Sequence, residues 1–259
     1  MEFLYPNFER HSILKKELLS SIRDYSIEYL KVKYDKYTKG IITGFDLKII
    51  DNNLIEISKG IVKFDDFVFI ANKSAKIKYK PTNKFNSLKI VLEKDTKIKD
   101  YDKYILTFKL DENLDLDINQ VEICRFKLME GFDLRDKHKS FDDIQTEFDT
   151  INYLHSTWAG IEREYINPYI LKVFANEAME SNITNMEDLL FCYTCLNGED
   201  VINISLIEKY LKNRQNLKGK SYLTKEEIFK YLSITLNDIK NKKTNKKDYF
   251  DEDQLLILY

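Results

Sequence analysis

Apolar residues along this chain change their period several times, and each change predicts an element. Leu14, Leu18, Ile22, Tyr25, Tyr29 and Val32 recur at steps of three and four, with Ser12 ahead of them as an N-cap. That spacing predicts an amphipathic helix of several turns. The pattern is not a strict heptad, so packing against its own β-domain is expected in preference to a free coiled coil. From Gly40 the period falls to two. Leu47 and Ile49, then Ile55 and Ile57, alternate with polar residues on either side of Asp51-Asn52-Asn53, which is a hairpin signal. A further run, Phe67 to Ile70, follows the Asp65-Asp66 turn.

More strands follow. Ala75 to Tyr79 and Leu88 to Leu92 are short apolar runs, and Tyr104, Leu106, Phe108 and Leu110 alternate cleanly. From Val121 to Leu128 the apolar phase shifts between Ile123 and Phe126, which predicts a bulge near Cys124. Several short strands with turn signals between them predict an antiparallel β-sandwich or small barrel over residues 40–130. Gly44 and Gly60 sit at strand ends and are expected to resist bulk, on the premise of positive φ.

Residues 131–164 read as an extended connector, one that could cross to another subunit. It carries the single Trp, Trp158, and some packed positions. Over 165–240 a helical bundle is expected. Asn167 caps a helix with Pro168 at its first position, and Leu171, Phe174, Ala175 and Ala178 share one face. Thr184 with Glu187, and Thr224 with Glu227, have capping-box spacing. Asn197-Gly198 closes one helix, and Ile204, Ile207 and Leu211 mark another. Residues 1–39 form an aromatic arm plus the first helix, and 241–259 a charged linker with an apolar tail. The whole is an α+β chain: arm and helix, β-sandwich or small barrel, helical bundle.

Composition narrows the function classes. The 259 residues carry Lys+Arg 41 against Asp+Glu 43, a formal charge of −2, so no net field draws the chain to nucleic acid or membrane. An odd set of three cysteines makes no disulfide framework and fits synthesis in the cytoplasm. No signal-like or membrane-spanning apolar run is evident, and no membrane anchor is expected.

The stretch Gly40-Ile41-Ile42-Thr43-Gly44-Phe45, the polar hairpin after it, and Ile57-Ser58-Lys59-Gly60-Ile61-Val62 resemble a β-module of bacteriophage tail and baseplate proteins. Tyr5 to Leu19, Val121 to Leu128 and Phe191 to Asn197 extend the likeness. Together they resemble small baseplate proteins of contractile phages and phage-derived, R-type-bacteriocin-like tail particles of Gram-positive hosts. The resemblance implies a structural subunit of a virion or tail-like particle. Its partners would be other baseplate or tail proteins, a tail fibre and further copies of itself.

Chemistry-bearing patterns are sparse. Cys192-x-x-Cys195 lacks a second ligand pair and lies in an apolar helical run, so a small-hydrophobe role is expected. Asp111, Asn113, Asp115, Asp117 and Glu122 imitate a calcium loop, but Leu116 occupies the place of the required glycine. Gly219-Lys220-Ser221 imitates the end of a phosphate loop, but Arg214 stands where its first glycine belongs. His11, His138 and His155 have no matched nucleophile nearby in sequence. No enzyme activity, cofactor or metal is expected. The residues expected at interfaces are Phe3, Tyr5 and Phe8 in the arm and Leu255, Leu256 and Ile257 in the tail. The alternative is a carbohydrate- or receptor-binding tail module using Tyr101 and Tyr104.

Overall fold

The computed structural model describes residues 13, 15–51, 53–65, 67–95, 101–197, 202–217 and 219–241. Ser12, Leu14, Gly198, the arm residues Phe3, Tyr5 and Phe8, and the tail residues Leu255, Leu256 and Ile257 lie outside the described residues. The fold is α+β, as the pattern predicts: a sandwich-like set of small antiparallel sheets followed by helices.

The first helix, α1, spans Lys16–Lys33, and its N-cap Lys15 makes no side-chain capping bond. Six strands follow: β1 Gly40–Gly44, β2 Leu47–Asp51, β3 Leu54–Ile57, β4 Gly60–Phe64, β5 Phe67–Ala71 and β6 Ala75–Lys78. They form two sheets, β1-β4-β5 and β2-β3-β6. Only two residues separate β1 from β2 and β3 from β4, so these are three long antiparallel arms bent together at one corner.

The residues at that corner explain the bend. Gly44 has φ +75° and Phe45 φ 58°, two successive left-handed positions that turn the first arm. Ser58 tracks the turn: its N–H donates to the Asp46 carbonyl at 2.9 Å and its hydroxyl accepts from the Asp46 N–H at 2.9 Å. Phe45 then inserts into the core edge-to-face on Phe108, 6.0 Å between centroids. Gly60 is needed for a different reason from the one expected. Its φ is not positive; a Cβ there would lie 2.6 Å from both the Phe45 ring and the Thr43 carbonyl oxygen. The two phrases of sequence around Gly44 and Gly60 are thus the two sides of one corner.

The third sheet, β8-β7-β9, comprises β7 Phe85–Asp95, β8 Lys103–Asp111 and β9 Gln120–Lys127. Its β7–β9 register slips between Leu88, opposite Cys124, and Lys89, opposite Glu122. Ile123 is therefore the extra residue of the expected bulge. The slip leaves Val121, Cys124 and Phe126 in the core and buries Glu122, which accepts from Ser87 Oγ at 2.8 Å and Arg125 Nε at 2.6 Å.

Residues 131–164 do more than connect. Asn152 exchanges backbone hydrogen bonds with Arg125 of β9 at 2.8 and 2.9 Å. The Thr157 N–H donates to the Glu122 carbonyl of β9 while its carbonyl accepts from Ile41 of β1, and Ala159 N–H returns a bond to Ile41. The segment is spliced between two sheet edges and satisfies both, which is one way a fold disposes of an open edge. A 3-10 turn, Asp142–Gln145, carries Ile144 and the preceding Phe141 into the core.

Four helices follow: α2 Pro168–Met179, α3 Met186–Asn197, α4 Ile204–Arg214 and α5 Lys225–Lys240. Asn167 and Thr224 cap as expected, the latter with both halves of the capping box. The Thr184 expectation is corrected: Asn185 Oδ1 accepts from the Glu187 N–H at 2.7 Å, so the cap is one residue later. Rings run from one helix to the next. Phe141 stacks on Phe229 at 4.7 Å and meets Phe174 edge-on; Phe174 meets Phe191, which stacks on Tyr210 at 3.9 Å. One hydrophobic core runs from Ile41 through the connector to Ile239.

Candidate functional site

The chemistry-bearing groups come together at one place, where the β1–β2 corner, the connector and the start of α2 meet. A cavity of about 200 Å³ there is lined by Asp46, Asp136, Tyr153, Trp158 and Tyr169 among others. Asp136 Oδ2 accepts from the Ile49 N–H at 2.9 Å. His138 lies behind Tyr169, with Nε2 2.8 Å from the Ile151 carbonyl and Nδ1 3.0 Å from the Tyr169 hydroxyl. A carbonyl can only accept, so Nε2 carries the proton and Nδ1 accepts from the tyrosine. Burial lowers the His138 pKa, and burial raises those of Tyr153 and Tyr169. Each shift keeps a neutral group neutral. Trp158 Nε1 is buried without a hydrogen-bond partner among the described residues. The cavity has room for a few waters and the polar groups to bind them. It presents no activated nucleophile.

The other sequence candidates are occupied structurally. Cys192 and Cys195 lie on α3 in the core; burial pushes the Cys192 thiol up to about 12 and the Cys195 thiol higher still. Both stay protonated, the form that neither binds metal nor attacks. In the acidic loop the backbone oxygens already face cations: Lys89 Nζ donates to the Asp115 carbonyl at 2.6 Å and Lys39 Nζ to the Ile118 carbonyl at 2.8 Å. Glu122, the last acid of that count, is held by Arg125 on β9. Lys220 is paired with Glu227 of the α5 capping box. Among the described residues no group of three or more His, Cys, Asp and Glu could hold a metal ion, and no helix is long and apolar enough to cross a membrane.

What remains is apolar surface. No residue of α1 is fully buried, and the expected packing on the β-domain is seen at its C-terminal end. Only Leu30 of the helix joins a small cluster with Tyr34, Ile42 and Ala159. Ile22 is 41% exposed, Tyr29 55% and Val32 76%. On the outer side of α3, Met186, Leu190 and Tyr193 are likewise exposed. The sugar-platform candidates divide: Tyr101 is exposed, but Tyr104 stacks on Phe67 at 4.4 Å with Lys94 Nζ 5.4 Å from its ring. The expected interface residues at the two termini lie outside the described residues, and the structure places none of them. The stripe on α1 is legible as a pattern; among its residues Ile22, Tyr29 and Val32 stay exposed.

No protein-family model matches this sequence, and no curated protein does. Solved structures with a similar course of chain include a crystal structure of TssK, with a TM-score of 0.44 and 8% identity over 94% of this chain and 70% of that one. The TssK-TssF-TssG baseplate subcomplex of the type VI secretion system, seen by cryo-electron microscopy, matches with a TM-score of 0.42 and 7% identity, over 93% of this chain and 100% of that one. The baseplate complex from the type VI secretion system matches at 0.38 and 8%, over 95% and 70%.

Proposed function

We propose that this chain is a structural subunit of a phage tail or phage-derived contractile particle baseplate, acting by subunit–subunit contact and not by catalysis. One observation carries the mechanism: the polar groups that could do chemistry are engaged inside the fold, whereas an 18-residue helix turns apolar side chains outward. Exposed apolar surface of that kind marks an interaction site. The kind of assembly is supported by the sequence resemblance, whose two central phrases form the Gly44–Gly60 corner. In this reading neighbouring baseplate proteins and a tail fibre are the partners, the host cytoplasm is where the chain is made, and the particle is where it works.

The test is incorporation. Particles purified from a strain that carries the gene should contain the chain in their baseplate fraction, and deleting residues 16–33 should remove it. Particles that lack the full-length chain would sink the proposal. The carbohydrate-binding alternative has less support, because one ring of its pair is covered by Phe67; binding of the purified chain to host wall fragments would revive it.

A further inference from the structure

The cavity between the β1–β2 corner, the connector and α2 holds polar groups that the fold leaves unused. Asp46 and Asp136 line it, and no lysine, arginine or histidine does. Each acid commits one oxygen to the fold: Asp46 Oδ2 accepts from Ser58 Oγ at 3.3 Å, and Asp136 Oδ2 from the Ile49 N–H. Among the described residues neither Oδ1 has a hydrogen-bond partner, and neither carboxylate has an ion pair. Tyr153 is in the same state. It is only 8% exposed, yet its hydroxyl makes no hydrogen bond among the described residues. Burial raises its pKa, and the charges of Asp46 and Asp136 add to the effect, so the hydroxyl lies within electrostatic reach of both acids. A buried hydroxyl without a partner is uncommon in a folded chain. The other walls include Phe45, Trp158 and Ile123. Such walls suit an alkyl chain better than water, and aromatic rings attract a cation.

We propose that this cavity binds a primary alkylammonium group, with Asp46, Asp136 and the Tyr153 hydroxyl accepting from its N–H groups and its stem against Phe45, Trp158 and Ile123. An ammonium carries three donors, and three acceptors here are open. A metal ion would find too few oxygens, since among the described residues no group of three or more His, Cys, Asp and Glu could hold one. An anion would meet two like charges, and a neutral alcohol would leave both unanswered. A free small amine and the end of a partner protein's lysine share the required chemistry. The inference goes beyond the baseplate reading and does not depend on it.

The experiment uses the full chain. Trp158 is its single tryptophan and lines the cavity, so intrinsic fluorescence reports on the site directly. n-Butylammonium chloride added at constant ionic strength should change the emission saturably, with a Kd of about 1 mM. n-Butanol and n-butyrate should bind about tenfold more weakly or less. Asp136→Asn keeps an acceptor for the Ile49 N–H and loses the charge, so it should weaken binding about tenfold with the fold intact. Tyr153→Phe should weaken binding severalfold and leave the thermal melt unchanged, because the fold loses no hydrogen bond. A lysine flanked by glycines, acetylated and amidated at its ends, separates the two sources. If it binds as well as n-butylammonium, the site takes a partner's lysine; if only n-butylammonium binds, it takes a small amine. No saturable change, equal binding of n-butanol, a response to calcium chloride in place of the amine, or full affinity in Asp136→Asn would overturn the proposal. These readings need no particle, so a chain that binds the amine but is missing from particles would sink the baseplate role and leave this one.

Discussion

Two helices of this chain, α1 and α2, show the same kind of apolar stripe and meet opposite fates. On α2, Ile170, Leu171, Phe174, Ala175 and Ala178 are all buried, held between α3 and α5 and against Phe141 of the connector. On α1 nothing is buried. Amphipathicity states that one face should leave water; it does not state which surface will cover it. In α2 the cover is supplied by the same chain, brought back by short loops. On α1 the described residues supply only the small cluster around Leu30, and Ile22, Tyr29 and Val32 stay exposed.

The contrast predicts a graded response to substitution. The largest losses belong to the body. Phe141→Ala removes a ring wedged between Phe229 and Phe174 and should cost about 3–5 kcal/mol, as aromatic deletions in cores do. A urea midpoint close to that of the unaltered chain would show that the connector is not part of the core.

Asp188→Ala should cost a similar amount. Asp188 accepts from the Tyr210 hydroxyl at 2.9 Å and from Arg214 Nε at 3.1 Å, and both charged side chains are almost wholly buried. Removing the acid leaves a cation in the core, which typically costs about 3–5 kcal/mol. Replacing both partners with apolar residues should recover much of the loss; no recovery would mean that packing, not charge, dominates there.

Gly60→Val should cost about 1–3 kcal/mol by overpacking, because its side chain must displace the Phe45 ring or the Thr43 carbonyl. Pairing it with Phe45→Leu should soften the effect if the ring is what resists, and the double-variant cycle measures this.

A smaller effect should appear in acid. Burial alone would raise the pKa of Asp143, but hydrogen bonds from Arg135, the Lys139 N–H and the Thr146 hydroxyl outweigh it and hold the carboxyl at about 2, below its ordinary 3.8. A folded pKa below the unfolded one contributes stability that is complete above the unfolded value and lost as the pH falls through the folded one. Stability should therefore decline from about pH 4 towards pH 2, and Asp143→Asn should flatten that part of the profile.

The smallest changes belong to α1. Ile22→Ser and Tyr29→Ser should leave monomer stability within about 0.5 kcal/mol, as substitutions at exposed sites do. If either melts the body several degrees lower, α1 is part of the core and the contrast with α2 collapses.

Much of the fold was legible before any coordinates. The hairpin around Asp51, the bulge at Ile123, the caps at Asn167 and Thr224 and the buried faces of α2 and α4 follow from interactions a few residues long, and the structure has each of them. The misreadings share a different character. The Thr184 cap failed by a single residue because Asn185 competes for the same amide. The need for glycine at position 60 was placed in its own φ, when it arises from a ring fifteen residues earlier in the chain. Thr157, which joins β9 to β1, has no periodic signal at all, since its bonds reach Glu122 and Ile41. The cavity beside Trp158 draws on the corner, the connector and α2 and could not be assembled from any one of them.

The sequence by itself thus determined which residues would be dry and which elements they would form, because side-chain periodicity and backbone capping are decided within a turn or a hairpin. Only the tertiary structure decided what each dry face would touch. That choice depends on contacts between residues far apart in the chain, where the loss of chain entropy must be outweighed by the surface buried. For α2 the chain closes on itself and supplies the surface. For α1 the fold offers Leu30 one small cluster and leaves Ile22, Tyr29 and Val32 to water or to another molecule.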